Sequence, residues 1–477
     1  MSRLTKCIRV LQSDARLIDP HVVTDDPDRQ SIRSAVFEPL VRCGEALGRY
    51  QPVLARQWLV DSDAKTWTVD LRTDVVFHNG DRLEAGDVVA TLNRARDPDM
   101  GGELGTQGLY QMYLGDAVIE AVSRHRVRIV TEEPMADLLD ILAEIPVVPR
   151  QELTELPKVA VGSGPYRLLE VGHGAVVVEA FDKYWGRQPS VGRIHWKREP
   201  DATRRMDALL ANQVDVVTGV RPEDAERIGS MDGMQVVMSG SSVCTVFMCN
   251  LLSGVCVDRP VRQALNYALN VSELIEKVMK GVGQPLNGPL TRYHLGHDPS
   301  TAPHGFAPEK ARALLREAGY EDGVAVVLDV PSILPDRAPA LAREMVEQYA
   351  AVGIVAQVRE FSDRSAYADR VQAKDIDDAC CFDSSPGSTY RVLREKFHSG
   401  VHGPWWQGYR NTRVDELLDR AAATPDVGRR QEVYREAYRI ICDDAPWIFL
   451  FSLERMWGMS RTVRGLETGV DGVIRFG

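Results

Sequence analysis

The chain has 477 residues, too many for one ordinary compact domain, so two or three units are expected. Hydrophobic residues make up 44% and charged residues 26%, a globular balance that excludes a disordered chain. Acidic residues outnumber basic ones, 68 to 57, for a net charge of -11; with no basic cluster, nucleic acid and anionic membrane are disfavoured as partners. The longest late apolar run, Ala445 to Leu453, is too short to cross a bilayer. The N-terminal stretch lacks an apolar core and Cys7 follows no apolar run, so neither a secretory signal nor a lipid anchor is expected from it. The eight cysteines (Cys7, Cys43, Cys244, Cys249, Cys256, Cys380, Cys381 and Cys442) form no CxxC pair. In so long a chain they do not read as a disulfide scaffold, and scattered thiols suit a reducing compartment.

In chain order, Lys6 to Gln12 reads as a strand, followed by the loop Leu17-Ile18-Asp19-Pro20, next to His21. Trp67, Val69 and Leu71 alternate with polar residues, the period of a half-buried strand. Asn79-Gly80 is a tight-turn signal, and Glu84 to Arg94 reads as a helix with acids near its start. Gly101 to Gly115 reads as a loop carrying Gln107, Tyr110 and Tyr113; it lacks the GK[ST] of a phosphate-binding loop. His125 to Thr131 is a short strand. Gly162-Ser163-Gly164 is followed by a proline and a strand, which argues against a nucleophile elbow. Ala202 to Gln213 is a helix that feeds a strand at Val214 to Val217.

Cys244 to Asn250 is a nearly continuous apolar run, suited to a buried strand. Helices are expected over Pro260 to Asn270, from Ser272 to Gly281, over Pro308 to Ala318 and over Pro339 to Ala351. Strands are expected over Val324 to Val330 and Ile354 to Val358, giving a sheet covered by helices. Val414 to Ala423 and Arg429 to Cys442 are the last helices, and Ala445 to Leu453 is an apolar strand.

Several words are more specific than these periods. A Trp-x-Val-x-Leu-Arg strand, Val76-Phe77-His78-Asn79-Gly80, Ala85-Gly86-Asp87-Val88-Val89, VGSGPYRL from Val161 and PVRQALNYALN from Pro260 resemble the family 5 extracellular solute-binding proteins. These are the peptide, nickel and opine receptors of ABC importers. The resemblance runs from Asp19 to about Leu450, and it implies a short helix over Ser34 to Val41. It implies an α/β, bilobal periplasmic-binding-protein-like clamp with an extra inserted subdomain. One lobe would hold about 1–242 and 452–477, with the insert near 32–159; the other would hold about 243–451. It implies a cargo that is a peptide or peptide-like small polar solute, captured by hinge closure and delivered to a membrane permease, by a monomer without a cofactor. The implied location is the periplasm or cell envelope. The N-terminus and the thiols leave the cytoplasm open, and with it a cytosolic enzyme or ligand sensor on the same fold.

The same resemblance selects Asp377 to Leu393, DDACCFDSSPGSTYRVL, for the ligand. In peptide receptors of the family an Asp in this strand pairs the ligand's α-amine, and Asp383 stands at the matching position. A buried ammonium needs such a partner, because an unpaired charge costs on the order of several kcal/mol. This chain departs from the pattern: Asp383 to Pro386 is one residue shorter, Ser385 replaces an acid, and Cys380 or Cys381 replaces a Trp. Cys381, Ser384, Tyr390 and Arg391 complete this part of the candidate set. Trp405 and Trp406, in a Gly-flanked loop, offer aromatic faces; His21 and Tyr110 are the candidates from the N-terminal half. His294-x-x-His297 and His398-x-x-x-His402 fall in loops, where helical ligand spacing does not apply, and no metal is expected. No catalytic set is identifiable.

Overall fold

The computed structural model describes residues 5–22, 26–44, 48–102, 106–156, 158–301, 304–333 and 335–477. Two compact units divide the chain: Met1–Ser239 with Arg455–Gly477, and Gly240–Glu454. Each crossing falls three residues from the boundary expected from the sequence. Both run along strands, Met234–Cys249 and Trp447–Ser460.

In the first unit, β1 (Thr5–Gln12) is followed by α1 (Pro27–Val36), capped by Asp26. The expected helix over Ser34 to Val41 is not there. Phe37 is already extended and Pro39 disfavours helical geometry at Glu38, so α1 stops at Val36. A four-stranded antiparallel sheet comes next, built from β2 (Ala55–Val60), β3 (Thr66–Leu71), β4 (Val118–Ser123) and β5 (Arg126–Val130) in the order β2-β3-β5-β4. The alternation in β3 is real: Trp67, Val69 and Leu71 are buried, the residues between them half-buried. Between β3 and β4, α2 (Ala85–Ala95) starts with a capping box, Asp87 accepting from the Glu84 N–H at 2.9 Å. The expected Gly101 to Gly115 loop contains a short helix, α3 (Leu109–Leu114), which buries Leu109, Tyr110 and Leu114; residues 103–105 lie outside the described residues. Then β6 (Tyr166–Gly172), β7 (Ala175–Ala180) and β8 (Val191–Arg198) form an antiparallel run, and β8 lies parallel to β1. After α4 (Ala202–Leu210), β9 (Val216–Val217) pairs with the other side of β1.

Two of the family-like words, VFHNG and VGSGPYRL, meet inside this unit. Glu38, buried, accepts hydrogen bonds from Ser163 Oγ at 3.0 Å, Tyr184 OH at 2.8 Å and Trp185 Nε1 at 2.8 Å. Burial pushes its carboxyl above the usual range. Gly162 and Gly164 pass against the end of α1: a Cβ would come 2.0 Å from Val36 O at Gly162 and 2.5 Å from Ala35 O at Gly164. His78 of the HNG turn closes the group, accepting the Gly162 N–H at 3.3 Å and donating from Nε2 to Gly164 O at 3.0 Å. These residues build a packed corner, and Ser163 is spent within it.

In the second unit, α5 (Arg259–Tyr267) is the PVRQALNYALN helix. Its buried polar residues stitch it to neighbouring backbone. Arg262 donates to the carbonyls of Cys256, Val257 and Asp444, and Asn266 to that of Trp447. The sheet holds β10 (Val324–Pro331), β11 (Ile354–Phe361) and β12 (Ala379–Ser384), with α6 (Ala338–Ala350) and α7 (Arg364–Gln372) as connections. β10 lies parallel to β11 on one side and to β12 on the other, and β12 runs antiparallel to Met234–Cys249. The chain therefore goes β10 to β11 in one direction and returns past β10 to reach β12. Right-handed crossovers place α6 and α7 on opposite faces. Two more helices matter below, α8 (Thr389–Phe397) and α9 (Val427–Asp444).

Candidate functional site

In open parallel sheets, ligands meet the carboxyl ends of strands where the strand order reverses. In the second unit that rule points past β10, β11 and β12, to Phe361, Phe382, Asp383 and the start of α7. Asp383 is half-buried, and Thr245 Oγ1, its cross-strand neighbour, donates to it at 2.8 Å. The following residues are pinned. Lys396 Nζ donates to buried Ser384 Oγ at 2.6 Å. His294 donates from Nε2 to Pro386 O at 2.8 Å, a carbonyl that can only accept, while its Nδ1 accepts the Thr291 N–H at 3.1 Å. Burial holds that imidazole neutral, with its pKa down at about 4. Ser388 caps α8 by accepting the Arg391 N–H at 3.2 Å.

The adjacent thiols are elsewhere. Cys381 is wholly buried with Ala379 in the core that α6 covers, and Cys380 is wholly buried too. Burial pushes both thiols well above their usual range. β12 has strands on both sides, so its apolar run is buried as a whole. Cys381 is corrected from a ligand-facing residue to a core residue. Arg391 is likewise inward: it is buried and pairs with buried Glu395 at 3.1 Å. Tyr390 stays half-buried on α8, with the Arg394 guanidinium 5.7 Å from its ring centroid.

The two tryptophans separate. Trp406 is buried and donates its indole N–H to Tyr409 O at 2.8 Å, which makes it a loop-packing residue. Trp405 is half-buried, 4.4 Å between ring centroids from Phe382, and so joins the strand end that carries Asp383. Sequence reasoning missed Phe382, Thr245 and Arg364 as neighbours of this point. The Arg364 guanidinium lies 4.8 Å from the Phe382 ring centroid and 5.7 Å from that of Tyr367. Asp363 ahead of the Tyr367, Ala368, Val371 spacing was the signal for α7.

In the first unit, His21 is fully buried. It donates from Nε2 to Pro146 O at 2.9 Å and accepts from Arg94 Nη1 at 2.8 Å; Arg94 in turn pairs with Asp19. Burial lowers its pKa to about 4. Tyr110 is buried and donates to Glu144 O at 3.4 Å. Both are held by their own unit's packing, so the structure corrects them from ligand contacts to scaffold. Among the described residues no group of three or more His, Cys, Asp or Glu could hold a metal ion. Among the described residues no helix is long and apolar enough to cross a membrane.

The sequence profile of the Bacterial extracellular solute-binding proteins, family 5 Middle, matches residues 49–379. The glutathione-binding protein GsiB of Pectobacterium atrosepticum is 29% identical over 441 residues, covering 89% of this chain and 84% of the relative. The structure of HbpA2 from Haemophilus parasuis superposes with a TM-score of 0.86 at 21% identity, covering 99% of this chain and all of that one. The periplasmic binding protein DppA from Helicobacter pylori, solved with the peptide STSA, gives 0.79 at 20% identity, covering 98% and 96%. The chain belongs to the family 5 bacterial extracellular solute-binding proteins, which are binding proteins and not enzymes.

Proposed function

We propose that this protein is the receptor of an ABC importer for a peptide or peptide-like solute, and that Asp383 takes the solute's ammonium group. The observation that carries the reading is the half-buried Asp383 carboxylate, fixed at the end of β12 by Thr245 beside the Phe382–Trp405 aromatic pair. An ammonium desolvated there needs a carboxylate. The relatives support the class: GsiB is a glutathione-binding protein and the H. pylori DppA holds a peptide. Binding proceeds by hinge closure, with the solute stabilising the closed form through its differential contacts. The closed monomer then meets a membrane permease in the cell envelope, the location of the family.

Asp383→Asn tests the reading, because it keeps the shape and the bond from Thr245 while removing the charge. Truncating one partner of a buried charge pair costs about 2–5 kcal/mol, or roughly 30-fold or more in affinity. Calorimetric titration of both proteins with amine-bearing peptides should show that loss. Equal affinities would remove Asp383 from the ligand.

A further inference from the structure

We infer that Cys249 and Cys256 are the site of a disulfide bond that fastens the end of the strand Met234–Cys249 to the start of α5. The bond does not depend on which solute the protein carries.

The fold holds the two side chains against each other. Cys249 ends the strand, and Cys256 lies in a single 3-10 turn, Val255–Val257, just ahead of α5. The segment between them closes around one residue, Asp378. Its carbonyl accepts the Asn250 N–H at 2.9 Å, and its Oδ1 accepts the Val255 N–H at 3.3 Å. Those amides belong to the residues next to the two cysteines. Gly254 makes the bend possible: its φ is +77°, and a Cβ there would come 2.5 Å from Asp378 Oδ1. Both cysteine backbones are fixed as well. The Cys249 N–H donates to Pro446 O at 3.1 Å, and Cys256 O accepts from Arg262 Nη1 at 2.9 Å. The two side chains are wholly buried in the core that α6 covers, and their thiols are hydrogen-bonded to each other.

Other uses of a thiol pair do not fit. A metal would need further ligands, and among the described residues no group of three or more His, Cys, Asp or Glu could supply them. A nucleophile needs an accessible thiolate, whereas the bond to Cys249 and burial push the Cys256 thiol well above its usual range. Cys244 shows the alternative for a buried thiol, donating its S–H to Pro289 O at 3.6 Å. The family is extracellular, and disulfides persist in oxidising compartments.

The oxidant is a disulfide, either of a thiol oxidase or of a small molecule. One cysteine thiolate attacks it and releases the first thiol. The second cysteine thiolate attacks the mixed disulfide and releases the other. The Sγ–Sγ bond forms, the oxidant's S–S bond breaks, and the oxidant carries away both electrons and both protons. This happens while the chain is folding, before the core closes over the sulfurs. The finished bond is then sealed from reductants.

The test refolds the full-length protein from denaturant in a cystamine–cysteamine buffer, and separately in excess dithiothreitol. Each sample is denatured in iodoacetamide without reductant, digested and mapped by mass spectrometry. The first should contain the Cys249 and Cys256 peptides joined, two hydrogen masses below their sum, with the other six of the eight cysteines alkylated. The second should have all eight alkylated. With buffers exchanged before melting, the joined form should melt higher by on the order of 5 °C, as expected for a short closed loop in a unit of this size. Cys256→Ser should leave Cys249 alkylated after either refolding and should show no difference between the two melting temperatures. Alkylation of both Cys249 and Cys256 after oxidative refolding overturns the inference. So does a cross-link from either one to a different cysteine, or a joined form that melts no higher than the thiol form.

Discussion

Replacing Asn266 by Leu should destabilise the second unit by an amount that can be worked out from three bonds. Asn266 is almost wholly buried on α5. Its Nδ2 donates to Trp447 O and to Arg262 O, each at 3.0 Å, and its Oδ1 accepts the Phe449 N–H at 3.0 Å. The amide thus pairs Trp447–Ser460 as a neighbouring strand would. Leu fills a similar volume and leaves two buried strand groups without that partner, at about 1–3 kcal/mol each. The sum is about 2–6 kcal/mol. For a unit of this size each kcal/mol moves the melting temperature by about 2–4 °C, so a drop of at least ~4 °C is expected. Urea unfolding should show a lower midpoint with an unchanged slope. Asn266→Asp keeps the acceptor for Phe449 and should still lose the bond to Trp447. A midpoint for Asn266→Leu indistinguishable from native would refute the reasoning, since those groups would then be satisfied without the side chain.

Cys380 and Cys381 should resist iodoacetamide in the native protein at pH 8 and react after denaturation, because both are buried with raised pKa; peptide mapping reads this, and native labelling would contradict it. Arg391→Met should cost about 3–5 kcal/mol by urea unfolding, because it breaks the buried Arg391–Glu395 ion pair. Thermal stability should fall as pH drops from 6.5 towards 4. His21, His78, His294 and His304 are all depressed by burial to about 4, so their contribution is full above the unfolded value of 6.5 and is lost as the unfolded chain takes up protons. Asp26, raised by burial to about 6, works in the opposite direction together with Glu38, Asp87 and Asp329, which burial also raises, while His297, lowered by burial, and Asp298, lowered to about 2, act with the four histidines. A melting temperature that stays flat from pH 7 to 4.5 would contradict this.

Much of the fold is legible where one local signal dominates. The Trp67 alternation and the starts of α2 and of the proline-led α5 all lie within one residue of expectation. The helix that the family resemblance implied over Ser34 to Val41 fails because Pro39 disfavours helical geometry at Glu38 and the helix lies earlier, over Pro27–Val36. α8 begins inside a stretch read for its chemistry and α7 lies just before that stretch, where no element was expected, although Asp363 and Ser388 both carry capping signals. The site is less legible for a physical reason. Alternation along β12 cannot say whether Cys381 meets solvent or a helix, and the deciding contact, α6, comes about thirty residues earlier in the chain. Asp383 was found through the family-like motif, whereas the pairing of Phe382 with Trp405 beside it appears only in the fold. His21 and Arg391 look like exposed ligand groups in sequence, yet their partners Arg94 and Glu395 take them into the interior.

The central claim is that this chain captures a peptide-like solute and releases it unchanged. It is tested most directly by titrating the native protein with glutathione and a set of short peptides in a calorimeter, then recovering the solute for mass spectrometry. The account predicts saturable binding of one solute molecule per chain, with the solute recovered at its original mass. Binding of none of them, or recovery of a chemically altered solute, would contradict it.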